Sequence, residues 1–209
     1  MMIVDCEVYA NYFLVMFKNI DTGKSAAFDM FEGQPLNINR VKELMAADTI
    51  ISYNGNSYDL PVIADAIAGA SCERLKKLSD DLIKSKLPAW RVARDNKIHI
   101  PAWDHIDLIE VAPGKASLKI YGGRMNAKKM QDLPIAPGDL ISSEQREQMK
   151  DYCLNDLDTS ELLYRRLEPQ IRLREQIGKQ YGDIDLRSKS DAQIAEAVIK
   201  HELHEYTGR

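Results

Sequence analysis

The stretch Ile3-Val4-Asp5-Cys6-Glu7 combines a β-branched run with a pair of acids, and the fold is read outward from it. Ile3 and Val4, with Val8 just after, have the character of a buried strand. Side chains alternate across a strand, so Asp5 and Glu7 project from one face, two residues apart. Neighbouring carboxylates in a sheet repel each other and are costly to desolvate. A cation relieves that cost, and paired hard oxygens suit Mg²⁺ or Mn²⁺. Alone, Asp-x-Glu more readily describes a short edge strand with its acidic face in water. The remainder of the chain separates the two readings.

Around this strand the N-terminal region reads as a meander. Met2 to Val8 and Tyr12 to Ile20 are strands joined by Tyr9-Ala10-Asn11, and Asp21-Thr22-Gly23-Lys24 turns into a third strand at Ser25 to Phe28. Asn37 caps a helix to about Ala47, and Thr49 to Tyr53 is a short apolar strand of the buried parallel kind. A helix follows from about Asp59, with Pro61 in its first turn. Residues 72–88 read as a surface helix and His105 to Ile109 as a fifth strand. Residues 113–140 read as short helices and loops. Ser142 or Ser143 opens a long helix to about Leu167, Pro169 starts another to about Tyr181, and Ser190 with Gln193 forms a capping box for a last helix to Tyr206. Meander followed by strand–helix alternation specifies an α/β fold with a five-stranded mixed sheet and flanking helices.

Composition narrows the class. The chain has 209 residues, of which 44% are hydrophobic and 29% charged, as expected of one substantial globular domain. No run approaches the ~20 apolar residues of a membrane span, and no basic region with a greasy run and cleavage site marks a secretory signal. Cys6, Cys72 and Cys153 form no Cys-x-x-Cys pair and read as reduced thiols of a cytoplasmic protein. A net charge of −4 argues against gripping nucleic acid by bulk electrostatics. Charge is nevertheless uneven. Residues 114–131 contain no acid but include Lys115, Lys119, Arg124, Lys128 and Lys129, and bases again outnumber acids between Arg74 and Lys97.

Two further acidic motifs follow. Asn54-Gly55-Asn56-Ser57-Tyr58-Asp59 leaves the fourth strand through a tight turn and opens a helix, the kind of loop where α/β sheets place ligands. Tyr152 and Asp156, four apart on the long helix, share a face with Met149 and Leu163 and so point toward the sheet. An inward Asp156 needs a partner, and a cation shared with Asp5 and Glu7 supplies one. Asp158 lies about 200° around the helix from Asp156 and faces solvent. Tyr181-x-x-x-Asp185 repeats the spacing but is broken by Gly182. His201-Glu202-Leu203-His204 lacks the spacing of a zinc-protease helix. Asp107, among apolar neighbours, is a candidate for a minor supporting role.

In this order, Asp5-x-Glu7, Asn54-x-x-x-Tyr58-Asp59 and Tyr152-x-x-x-Asp156 resemble the three motifs of the DEDD superfamily of 3′→5′ exonucleases, tyrosine subclass. Ser52 to Pro61 and Ser117-Leu118-Lys119-Ile120-Tyr121-Gly122 are similar to the proofreading domain of bacteriophage DNA polymerases. The resemblance implies a ribonuclease H-like fold and two divalent ions, Mg²⁺ or Mn²⁺, held by Asp5, Glu7 and Asp156, with Asp59 acting mainly through water. It implies that Tyr152 orients the attacking water and that nucleoside monophosphates leave a single-stranded DNA 3′ end. Asn54 and Tyr58 belong to the second motif. Lys119 and Arg124 are candidates for phosphate contacts, and Tyr58 or Tyr121 for base stacking, with a core role for Tyr58 equally open. On this reading residues 1–181 form the exonuclease domain. Residues 182–209 form a C-terminal helical extension, one reading of which is the start of a link to a polymerase domain. RNA as the substrate, or a non-catalytic nucleic-acid-binding domain on the same fold, are the competing readings.

Overall fold

A computed structural model describes residues 1–208. The strands β1 (Met2–Val8), β2 (Tyr12–Asn19) and β3 (Ser25–Phe31) form the meander. Its first turn closes with the Tyr9 N–H donating to the Tyr12 carbonyl at 2.8 Å. α1 (Ile38–Ala47) starts where the Asn37 side chain accepts the Arg40 N–H. β4 (Ile50–Ser52) then runs parallel to β1. Four helices or strands follow in turn: α2 (Asp59–Ile67), α3 (Cys72–Lys84), α4 (Ala89–Asp95) and β5 (His105–Asp107), the last parallel to β4. α5 (Leu108–Val111), α6 (Leu118–Arg124), α7 (Gln145–Gln180) and α8 (Asp191–Thr207) complete the chain. The strand order is β3-β2-β1-β4-β5, so the fold is α/β with a five-stranded mixed sheet and flanking helices.

Alternation along β1 and β2 divides the interior. Ile3, Leu14 and Met16 meet Met149, Cys153 and Leu157 of α7 on one face. Val4, Cys6, Phe13, Val15 and Phe17 pack against α1, α2 and α3 on the other. Asp5 and Glu7 share the parity of Ile3 and therefore face α7. Among the described residues, no helix is long and apolar enough to cross a membrane.

Several expected boundaries differ. The fifth strand stops at Asp107, because its side chain turns back to accept the Ile109 N–H and starts α5. Residues 72–88 do not form one helix: α3 ends at Lys84, and Pro88 precedes α4. α7 opens at Gln145, with its Oε1 accepting the Ser142 N–H at 2.8 Å. It also runs unbroken through Pro169, where a new helix was expected. Proline φ is already helical, and Pro169 sits on the exposed side. Leu163, Leu167, Ile171 and Arg174 continue one buried stripe across it, so packing outweighs the lost hydrogen bond.

The 182–209 extension divides in two. Residues 183–190 lie against the body: Leu186 is buried, and the Ser188 hydroxyl accepts the Asp107 N–H at 2.8 Å. α8 begins with the expected capping box at Ser190 and Gln193, and it contains no fully buried residue.

Candidate metal centre

The centre is assembled from β1, the β4–α2 turn and α7. Ligand atoms of Asp5, Glu7 and Cys153 all lie within 4.8 Å of one another. The Cys153 thiol donates to Asp5 Oδ2 at 3.4 Å. Asp59, buried at the start of α2, accepts the Cys6 N–H at 3.2 Å and the Cys6 thiol at 3.3 Å. Each of these two acids is thus held by a thiol. Asp156 and Tyr152 stand on the inward face of α7, one turn apart, and the Tyr152 hydroxyl faces the Asp156 carboxylate. Asp158 faces out and pairs with Lys18.

Burial raises all four carboxylates, and for Asp5 and Glu7 the neighbouring acids add to it. Burial, and then the charges of Asp59, Glu7 and Asp156, push Asp5 well above the usual carboxylate range, opposed by the Cys153 hydrogen bond. Burial lifts Glu7 similarly, with Asp156 the next contributor and Asp59 after it. Asp59 is pushed up to about 7, chiefly by burial and with help from Asp107, while the Cys6 hydrogen bonds pull it down. Asp156 rises to about 6 through burial, moderated by hydrogen bonding from Tyr152 and Asn155. Without a counter-charge, part of this set holds protons near neutrality. Hard, mutually repelling oxygens of this kind fit a divalent cation. Asp5 and Glu7 would hold it, with Asp156 close enough to act on both. Asp59 is the most enclosed of the four, and its engagement with Cys6 fits an indirect role.

The turn before α2 is fixed from beneath. Asp107 accepts the Asn54 N–H at 2.8 Å and the Asn56 N–H at 2.9 Å, one on each carboxylate oxygen. Asn54 adopts a φ of 65°, within the left-handed region. A side chain on Gly55 would place Cβ 1.9 Å from Ser52 Oγ, so only glycine fits there. Ser52 Oγ is itself 2.7 Å from His105 Nε2, and burial lowers the His105 pKa to about 4, keeping it neutral.

A cleft of about 240 Å³ opens beside the centre, lined by Ser117, Leu118, Lys119, Lys129, Tyr152 and Asp156. It adjoins a larger hollow of about 670 Å³ that shares Lys129, Asn155 and Thr159. Lys119, an expected phosphate contact, reaches this cleft and pairs with Asp132. Arg124 instead lies over the Tyr121 ring at 5.9 Å. Tyr121 is unavailable for base stacking: its ring is buried and its hydroxyl donates to the Pro113 carbonyl at 2.6 Å. Tyr58 packs against the α1–α3 core, with its hydroxyl 2.7 Å from Ser79 Oγ, which favours the core role.

Sequence reasoning took Cys6 and Cys153 only as reduced thiols and so missed their hydrogen bonds to Asp59 and Asp5. A signal was present. Cys6 sits between the first two acids, and Cys153 lies three residues before Asp156 on the same helical face. The anchoring role of Asp107 is likewise larger than its apolar setting suggested. No protein-family model matches the chain, and no curated protein matches it.

Proposed function

We propose that the chain is a metal-dependent 3′→5′ exonuclease of ribonuclease H-like fold, releasing nucleoside monophosphates from single-stranded DNA 3′ ends. Its biological setting would be proofreading for a phage-type DNA polymerase, in cis or in trans. One observation carries the reading. Asp59 and Asp156, from two distant segments, lie near enough to Asp5 and Glu7 on β1 for their charges to raise the pKa of both. A domain that only binds has no use for such repulsion, which destabilises the fold unless a cation offsets it.

When bound, two divalent cations lower the pKa of a water and stabilise the charge developing on the phosphate and the leaving 3′ oxygen. Asp5 and Glu7 would hold the ions, together with Asp156 from α7. Tyr152 orients the attacking water as a hydrogen-bond partner. Burial raises its pKa above the ordinary phenol value, so it stays protonated and does not act as a base. Asp107 and Gly55 keep the second-motif turn rigid, which holds Asp59 at the opening of α2. Lys119 and Lys129 line the cleft beside Tyr152 and bring positive charge to an incoming phosphate.

The test is digestion of 5′-labelled and 3′-labelled single-stranded DNA and RNA with Mg²⁺, Mn²⁺ or EDTA. Mononucleotides released stepwise from the DNA 3′ end, only with metal, are expected. Equal or faster loss of RNA would transfer the substrate to an RNA-trimming enzyme. The absence of any metal-dependent hydrolysis would falsify the enzymatic reading.

A further inference from the structure

We propose that the corner between α3 and α4 is a second contact for single-stranded nucleic acid, with Trp90 as its stacking platform. Three large apolar side chains are exposed there within eight residues: Ile83 at 67%, Leu87 at 43% and Trp90 at 63%. Leaving a tryptophan in water is costly, and exposed clusters of this kind mark interaction sites. The surroundings identify the partner by charge. Residues 73–97 contain eight bases and four acids, in a chain whose net charge is −4. The Arg94 guanidinium lies over the Trp90 ring at 5.3 Å. Lys84, Lys86 and Arg91 are exposed around it, although Asp80 and Asp95 partly balance the group.

An exposed indole flanked by cations matches the two chemical faces of an unpaired strand, its flat bases and its phosphates. Duplex nucleic acid offers the phosphates but hides the base faces, so the platform selects a single strand. An anionic lipid surface is the competing occupant, and the vesicle arm of the test separates it from a single strand. The contact involves none of the acids of the metal centre, so it does not depend on hydrolysis by this chain.

The test uses the full chain in EDTA. Trp90 emission is isolated by subtracting the signal of Trp90→Phe, since the chain has two tryptophans. Titration with oligothymidylate of about 16 nucleotides should quench that emission, and added salt should reverse the quenching. Anisotropy of a labelled oligonucleotide should show Trp90→Ala binding about 5- to 150-fold more weakly, with partial recovery in Trp90→Phe. Unchanged affinity in Trp90→Ala overturns the proposal. So does equal quenching by duplex, or quenching by phosphatidylserine vesicles and not by the oligonucleotide. Hydrolysis of thymidine 5′-monophosphate p-nitrophenyl ester with Mg²⁺ should be equal in wild type and Trp90→Ala, since a mononucleotide ester offers no further base to stack on Trp90. If wild type itself fails to cleave the ester, the nuclease reading falls while the binding result, obtained in EDTA, stands or falls by itself.

Discussion

Asp156 illustrates the electrostatic tension of the centre. Burial lifts its folded-state pKa from 3.8 to about 6, and Asp59 reaches about 7. Between the unfolded and folded values the native state therefore binds more protons than the unfolded chain. The stability contributed by these two groups is complete below 3.8 and is lost as pH rises through about 6 and about 7. Surface carboxylates such as Asp80 and Asp104, whose pKa values are lowered by Lys76 and Arg187, act in the opposite direction. A variant comparison separates the two effects. In EDTA, Asp156→Asn should equal wild type in urea melts near pH 3.5 and exceed it by about 1–3 kcal/mol near pH 8. Mg²⁺ should stabilise wild type more than the variant, and Asp156→Ala or Asp5→Ala should lose hydrolysis while remaining folded. A variant no more stable than wild type at either pH would remove the case for a repelling cluster. Tyr152 makes a different contribution, through position. Tyr152→Phe should lower kcat about 10- to 100-fold while the Mg²⁺ midpoint stays the same.

Among the elements, α7 does most to assemble the site and was the least legible. Its uninterrupted course from Gln145 to Gln180 depends on a buried stripe that ignores Pro169. Because Pro169 is exposed, Pro169→Ala should restore the hydrogen bond to the Arg165 carbonyl at little cost in packing. A gain of about 1–3 kcal/mol in denaturant melts is expected, and a loss would mean that the ring contributes to packing. The meander, α1 and the capping box of α8 were readable because alternation, turns and caps are local signals. A proline is a local stop signal too, but the sheet that overrides it is tertiary. The same limit applies to β5, which ends at Asp107 because of a side-chain cap that apolar patterning does not register. That Asp5 and Glu7 share a face followed from strand parity, whereas the approach of Cys153 to both, the thiol hydrogen bonds and the burial of Tyr121 depend on how whole faces meet.

At the scale of the molecule, the segment after α7 links the distal edge of the sheet to the centre. The Ile184 carbonyl would lie 2.1 Å from a Cβ at residue 178, so Gly178 lets the chain fold back closely against α7. Leu186 then fills a buried position, and Arg187 pairs with Asp104 and Asp185. Ser188 closes the β5 edge at Asp107, the residue that holds Asn54 and Asn56. Arg174, buried on α7, donates to the Lys189 carbonyl and to Asp191. A chain ending at Tyr181 would therefore lose Leu186, leave the Asp107 N–H unpaired and strip a buried guanidinium of two acceptors. It should be at least about 3 kcal/mol less stable than the full chain. A chain ending at Asp191 keeps all of those contacts and lacks only α8, which has no fully buried residue, so it should lose about 1 kcal/mol. Hydrogen exchange adds the link to function. In the shorter chain the Asn54 and Asn56 amides should lose protection together with the β5 edge. If those amides stay protected when residues 182–209 are gone, Asp107 holds the second-motif turn without support from the C-terminal segment.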